Sequence, residues 1–145
     1  MSEKESKNSK MLSKTEYESL SDFRYTVRKF LKFSESAAKA VGLTANQHQA
    51  LLAIKGFPNR ESITNGELAE RLQIKHHSAV GLVNRLESQQ LVVREQGSTD
   101  KREVFVRLTA RGEQLLEQLT AVHREELQQI ASHLTGILRM LNKTK

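Results

Sequence analysis

Apolar residues repeat along most of this chain at intervals of three and four, and over one short stretch at intervals of two. From Ser13 onward, Tyr17, Leu20, Val27, Leu31, Ser34, Ala38 and Val41 form one stripe, and Phe23, Phe30 and Phe33 a flanking one. Ser13-Lys14-Thr15-Glu16 has the spacing of a capping box, and Gly42 is a natural stop. The pattern predicts a helix of about 27 residues, ~40 Å long at 1.5 Å per residue. So much apolar surface on one helix exceeds what a small domain covers, and it points to a partner subunit.

A second capping box, Thr44-Ala45-Asn46-Gln47, opens a helix expected to bury Leu51, Leu52 and Ile54 and to end in the turn Gly56-Phe57-Pro58-Asn59. Ser62-Ile63 is too short for anything but a small edge strand. A third box, Thr64-Asn65-Gly66-Glu67, starts a short helix through Leu72 with Leu68, Ala69 and Leu72 inward. After the connector Gln73-Ile74-Lys75, Ala79, Leu82, Val83 and Leu86 mark a further helix from about His76 to Gln89. Two short helices joined so tightly suggest a helix-turn-helix.

Leu91 to Gln96 and Glu103 to Leu108 read as strands. In the second, Val104, Val106 and Leu108 alternate with Glu103, Phe105 and Arg107. The polar loop Gly97-Ser98-Thr99-Asp100-Lys101-Arg102 joins them as a hairpin, and a hairpin directly after a helix-turn-helix makes a winged helix. From Thr109, a natural N-cap, Leu116, Leu119, His123, Leu127, Ile130, Leu134, Ile137 and Leu141 form a last stripe about 25 residues long. The expected fold is therefore mainly α with a small β-hairpin wing. Residues 1–12 make a disordered arm, 13–42 an N-terminal dimerisation helix, 43–112 a winged helix-turn-helix, and 113–145 the C-terminal dimerisation helices. The alternative for the two long segments is an intramolecular hairpin.

Composition narrows the function classes. The 145 residues include no Cys, which excludes disulfides, thiolate metal sites and cysteine redox sensing. Mean hydropathy is −0.55, and no window approaches the roughly 18 uninterrupted apolar residues of a membrane span. No apolar core follows the charged first residues, so a signal peptide is not expected; the chain reads as cytoplasmic. The formal net charge is +6, compatible with a polyanionic partner. The excess is dispersed: residues 1–40 carry nine basic and six acidic side chains, residues 60–112 nine and seven, and residues 113–145 four of each. Charge alone does not locate a nucleic-acid surface, so geometry must.

From about Leu43 to Gly112 the chain resembles the MarR transcriptional regulators. The resemblance rests on Leu43-Thr44 with Gln47 and Leu51, on Glu67-Leu68-Ala69-Glu70-Arg71-Leu72, and on Leu82-Val83-Asn84-Arg85-Leu86-Glu87 running into Leu91-Val92. It also rests on Asp100-Lys101-Arg102 with Val106-Arg107-Leu108-Thr109-Ala110-Arg111-Gly112. Each motif alone is weak; their order and spacing together are specific. The resemblance implies a homodimer with interlocked termini and a winged helix on double-stranded DNA in each subunit. It implies repression at a pseudo-palindromic operator, relieved by a small, often aromatic, ligand.

The N-terminal half of a recognition helix faces the major groove, where base edges differ in donor and acceptor pattern. Here the groove candidates are Lys75, His76, His77, Ser78 and Gly81, with Asn84 and Arg85 one turn on. The histidines and Ser78 can both donate and accept; an exposed, solvated helix start is the other reading of the His pair. The commoner family pattern has Thr and Arg in the places of Val80 and Gly81, so operator sequence does not carry over. A phosphate contact or an acid pair is the expected duty of Arg85. On the wing, Arg102 suits a narrow minor groove, Asp100 would hold the loop by accepting from Arg102 or from backbone amides, and Lys101 and Arg94 are further DNA candidates. The Asp-x-Arg pattern is the family's wing signature. Ser62 and Thr64 are candidates for phosphate contacts.

By the resemblance, an effector pocket would draw on Arg24, Tyr25, Arg28 and His48, though packing or solvation explains each as well. Adjacent His side chains diverge by about 100° on a helix, and no His-carboxylate set has ligand spacing, so neither metal nor cofactor is expected. His48, His123 and His133 are the remaining histidines that a fold can gather. There is no Gly-rich phosphate loop, nucleophile elbow or HExxH motif, so no catalytic residue is assigned. The rival to a DNA-binding regulator is a winged helix that contacts protein or RNA without reading an operator.

Overall fold

Side chains that cap helices mark where the elements begin. The computed structural model describes residues 12–143, so the expected arm at 1–12 lies outside the described residues except for Leu12. Ser13 Oγ accepts from the Glu16 N–H at 3.2 Å, and Glu16 returns the bond to the Ser13 N–H at 3.3 Å. Helix α1 (Lys14–Ala40) follows and stops just before Gly42. Thr44 with Gln47 and Thr64 with Glu67 form two further reciprocal boxes, each with bonds of 2.9 and 3.1 Å. They open α2 (Ala45–Lys55) and α3 (Asn65–Leu72). All three boxes read from the sequence are present, and each satisfies two amide donors that a helix start would otherwise leave open.

The chain turns out of α3 through Gln73 in the left-handed conformation, φ 55°, and enters α4 (His76–Ser88). Strands β2 (Val92–Gln96) and β3 (Val104–Leu108) pair antiparallel with Val92 opposite Leu108 and Gln96 opposite Val104. The two-residue strand β1 (Ser62–Ile63) joins the free edge of β3, giving the order β1-β3-β2. One uninterrupted helix, α5 (Ala110–Asn142), closes the described chain; its 33 residues outrun the apolar stripe read from the sequence.

Contacts divide the chain into two units, residues 35–122 and residues 1–34 with 123–145. In the first, α2 packs on α3, α4, β1 and β3. Leu51, Ile54, Ile63, Leu68, Val83, Leu86, Val92 and Val106 are fully or almost fully buried there, with Leu91, Leu116 and Leu119. Leu52 departs from expectation. It is 42% exposed, because Leu51 and Ile54 take the inward side and the next position turns outward.

The junction of sheet and last helix is drawn tight around Leu91. The Leu91 carbonyl accepts from the Thr109 N–H at 3.0 Å, while the Thr109 hydroxyl donates to the Gln90 carbonyl at 2.7 Å and accepts from the Gly112 N–H at 3.1 Å. A β-carbon at Gly112 would stand 2.2 Å from the Leu91 carbonyl oxygen; only glycine fits this approach.

In the second unit, His123 lies edge-on to Phe30 and Phe33, with ring centroids 5.8 and 5.3 Å away, and its Nε2 is 2.7 Å from Ser34 Oγ. His133 Nε2 meets Asp22 at 2.9 Å. Ile137 is buried here, whereas Tyr17, Leu20, Leu31, Leu127, Leu138 and Met140 are exposed. The stripe read from the sequence on α1 thus splits: Phe23, Val27, Phe30 and Phe33 are half-buried and Tyr17, Leu20 and Leu31 face outward.

Candidate nucleic-acid interface

Helix α4 is held by one face. Ala79, Leu82, Val83 and Leu86 are buried, which turns the opposite face outward by helical periodicity. Lys75, His76, His77, Ser78, Asn84 and Arg85 are exposed and Gly81 is half-exposed. Lys75, the N-cap, makes no side-chain capping bond; the Ser78 N–H turns to the Lys75 carbonyl, and the His76 and His77 amides are left for an outside acceptor, the arrangement that accommodates a phosphate.

The wing is shaped by its own acid. Asp100 Oδ1 accepts from the Arg102 backbone N–H at 2.9 Å and from Arg102 Nε at 3.2 Å, and Oδ2 accepts from Nη2 at 3.3 Å. Both modes of holding the loop foreseen for Asp100 are in place together. The Arg102 guanidinium beside it, then the Arg102 backbone N–H, hold the Asp100 carboxyl below the usual carboxylate range. The Arg102 side chain remains 92% exposed, so the clasp orients the guanidinium without hiding it. At the base of the loop a β-carbon on Gly97 would lie 2.6 Å from the Asp100 carbonyl oxygen, so glycine lets the loop close on itself.

Sorting the cations of the winged helix by partner separates scaffold from surface. Lys55 bridges Glu61 and Glu113, each at 3.1 Å, and those carboxylates raise its pKa. Arg60 pairs with Glu67 and stacks over Phe57 and Phe105, 4.4 and 5.2 Å from the ring centroids. Burial pushes the Glu67 carboxyl up, but hydrogen bonds from Thr64 and Arg60 outweigh it and the net shift is downward. Arg71 lies over Phe57, and Arg107 pairs with Glu95. Arg94 reaches from β2 to α4, where it binds both Glu87 and Asn84. Its guanidinium therefore ties the wing to the recognition helix. Against these, Lys75, Arg85, Lys101 and Arg111 are exposed and have no partner among the described residues. The acid pair expected as one duty of Arg85 is not formed, since no acid stands three or four positions from it on the helix and Glu87 is engaged by Arg94.

The structure therefore gathers Lys75, His76, His77, Ser78 and Arg85 on one helix, and Asp100, Lys101 and Arg102 on one loop. Ser62 is half-buried in β1, and Thr64 uses its hydroxyl oxygen as the cap acceptor for Glu67; its hydroxyl proton is still available to an anion. Arg111 was not singled out from the sequence, although it lies inside the quoted motif Thr109-Ala110-Arg111-Gly112; its signal was a basic residue in the first turn of α5, where no acid stands within a helical turn except Glu113.

The residues expected around an effector divide between the two units. Arg24, Tyr25 and Arg28 are exposed on α1, and His48 is 2% exposed on α2 with Nδ1 3.4 Å from Gln49 Nε2. Tyr25 lines a cleft of about 240 Å³ with Asp22, Lys29, Phe30, Gln129 and His133. His123 and His133 are held by Ser34 and Asp22, and no group of three metal-ligating side chains occurs among the described residues. No helix among them is long and apolar enough to cross a membrane.

Comparison with known proteins agrees with this geometry. The MarR family model matches residues 41–103, the stretch from the end of α1 to the wing loop. Among solved structures, the fold is similar to MepR, a transcription regulator of the Staphylococcus aureus multidrug efflux pump MepA, at 20% identity and a TM-score of 0.72, covering 85% of this chain and 96% of that one. A mutant E. coli MarR complexed with operator DNA is 25% identical, with a TM-score of 0.64 over 83% of this chain and 87% of that one. NadR in complex with 4-hydroxyphenylacetate is 27% identical, with a TM-score of 0.68 over 80% of each chain. No curated protein sequence matches the chain.

Proposed function

We propose that the chain, which is similar to the MarR family over residues 41–103, is a sequence-specific DNA-binding transcription regulator. It acts as a homodimeric repressor on a pseudo-palindromic operator and lets go when a small aromatic ligand binds. Its work is recognition rather than catalysis, and its place is the cytoplasm. The observation that carries this reading is the division of the cations. Lys55, Arg60, Arg94 and Arg107 are neutralised within the chain, while Lys75, Arg85 and Lys101 stand open and Arg102 is held by Asp100 with its side chain exposed.

Each part follows from that division. The open face of α4 enters the major groove, Lys101 neutralises phosphate, and Arg102 enters the minor groove, where negative potential is focused. Two-fold symmetry of the protein calls for a two-fold operator. The dimer is supported by Tyr17, Leu20, Leu31, Leu138 and Met140, large side chains exposed on the long helices that a second copy of the chain would cover. Relief by ligand draws on the resemblance and on NadR, whose complex holds an aromatic acid.

The test is anisotropy of a fluorescent duplex from the upstream region of the protein's own gene, against an unrelated duplex, at two salt concentrations. Preference for the first duplex, weakening steeply with salt, is the expected result. Weak and equal binding to both would count against operator readout and favour a winged helix that contacts protein or RNA.

A further inference from the structure

Gly81 stands inside α4, where glycine costs roughly 1 kcal/mol relative to alanine. The space beside it is taken. A β-carbon at Gly81 would lie 3.7 Å from Arg85 Nη1, and no other side chain would come within 4 Å of it. The Arg85 guanidinium is therefore drawn back along the helix by about one turn, in the direction long helical side chains point. Residues 77, 81 and 85 share a face by their spacing of four. That face is exposed at His77 and Arg85, whereas Ala79, Leu82, Val83 and Leu86 hold the other side in the core.

Nothing in the chain claims this guanidinium. Arg85 has no side-chain partner among the described residues, no acid stands three or four positions from it on the helix, and Asn84 and Glu87 are both bound to Arg94. An arginine kept for scaffolding would be paired, as Arg60, Arg94 and Arg107 are. Arg85 is instead presented unpaired, its guanidinium reaching back from the C-terminal half of α4 over the bare backbone at Gly81.

We propose that Arg85 reads a guanine in the major groove, and that position 81 carries no long side chain because anything beyond a methyl group would extend into the space its guanidinium uses. Two N–H groups of the planar fork donate to O6 and N7 of the base, the pairing that distinguishes guanine from the other three bases. Glycine also lets the helix backbone come close to the base edges. This rests on the reading of the chain as an operator-binding regulator, and it assigns the specificity to a residue whose alternative duty is a phosphate contact.

The experiment fixes a preferred duplex by selection from a random pool with the full-length protein. Anisotropy then compares affinity for that duplex and for each of its single base-pair changes. The wild type should lose roughly 5- to 150-fold when one particular G·C pair of one half-site is replaced. Arg85→Ala should abolish the preference at that pair and keep preferences elsewhere. Arg85→Lys should weaken it, since an ammonium can still donate to O6 and N7 but lacks the planar fork. Gly81→Gln, which fills the space beside Arg85, should weaken preference at the same pair and add nothing when combined with Arg85→Ala. Uniform weakening on every sequence in Arg85→Ala would make Arg85 a phosphate contact and overturn the inference, as would an undiminished guanine preference in Arg85→Lys. A wild type that binds all duplexes alike would overturn the regulator reading together with this one; a wild type that discriminates and an Arg85→Ala variant that discriminates equally would overturn this one alone.

Discussion

The two units of the chain solve the problem of burial differently. Residues 35–122 gather the cluster of buried aliphatic side chains, from Ala38 and Leu43 through Leu51, Ile63 and Leu86 to Leu119. The other unit buries Ile137 along with three polar residues, Thr26, Ser34 and His123, while Tyr17, Leu20, Leu31, Leu127, Leu138 and Met140 stay exposed. A helix with apolar residues on more than one face buries them against another element or against another chain. The winged helix completes its core within one chain. The long helices do not, and the proposed second copy of the chain would cover what they leave exposed.

The comparison can be broken from either side. The largest effect is expected for Leu127→Asp, which places a charge on the exposed face of α5. Light scattering should report monomers, with tight DNA binding lost as a consequence, and a dimeric variant would refute the role given to these helices. Next comes Ile54→Ala in the closed core, where Ile54 is wholly buried; urea unfolding should show a loss of about 2–5 kcal/mol at an unchanged denaturant slope. Arg102→Ala acts on neither core. Affinity for the operator should fall roughly 5- to 150-fold while the dimer persists, and unchanged affinity would remove the minor-groove role.

Thr44→Ala removes one side of a capping box, and a loss of about 1 kcal/mol in thermal or urea unfolding is expected. The smallest effect is that of pH on the wing. Arg102 lowers the Asp100 pKa, so the clasp is fully formed above the ordinary carboxylate pKa and is lost only as pH falls through the lowered folded value. The backbone amide resonance of Arg102 should stay flat from pH 8 to about pH 5 and move on further acidification. A midpoint at or above the ordinary aspartate value would show that the clasp does not form in solution.

Local chemistry explains what the sequence disclosed. Three capping boxes and the alternation of Val106 and Leu108 with Arg107 depend on neighbours within a few positions and are found in the fold, although Val104 is exposed; the edge strand at Ser62-Ile63 is also found, paired with the distant β3. The engagement of Arg94 with Glu87 and Asn84 was not legible, because it needs β2 folded back beside α4. The same holds for Arg85. An acid pair needed a partner from elsewhere, because no acid stands three or four positions from Arg85 on its helix and Glu87, two positions on, points to another side and is claimed by Arg94. Leu52 was misplaced for a simpler reason: three apolar residues among four leave the inward face of a short helix ambiguous. The wing was the most transparent part, since the Asp100–Arg102 clasp closes over two residues.

The central claim is that the exposed cations left unpaired by the fold, with Arg102 in its exposed wing clasp, make the DNA surface, and that cations paired into the scaffold do not. The most direct test is the slope of log affinity against log salt for the wild type, for Lys101→Ala, and for a double variant that removes Arg107 and Glu95 together. Loss of one phosphate contact lowers the slope by about one, so Lys101→Ala, which removes one in each subunit of the proposed dimer, should lower it by about two, and the double variant should match the wild type. A double variant that flattens the slope as much as Lys101→Ala, or a Lys101→Ala protein with the wild-type slope, would contradict the account.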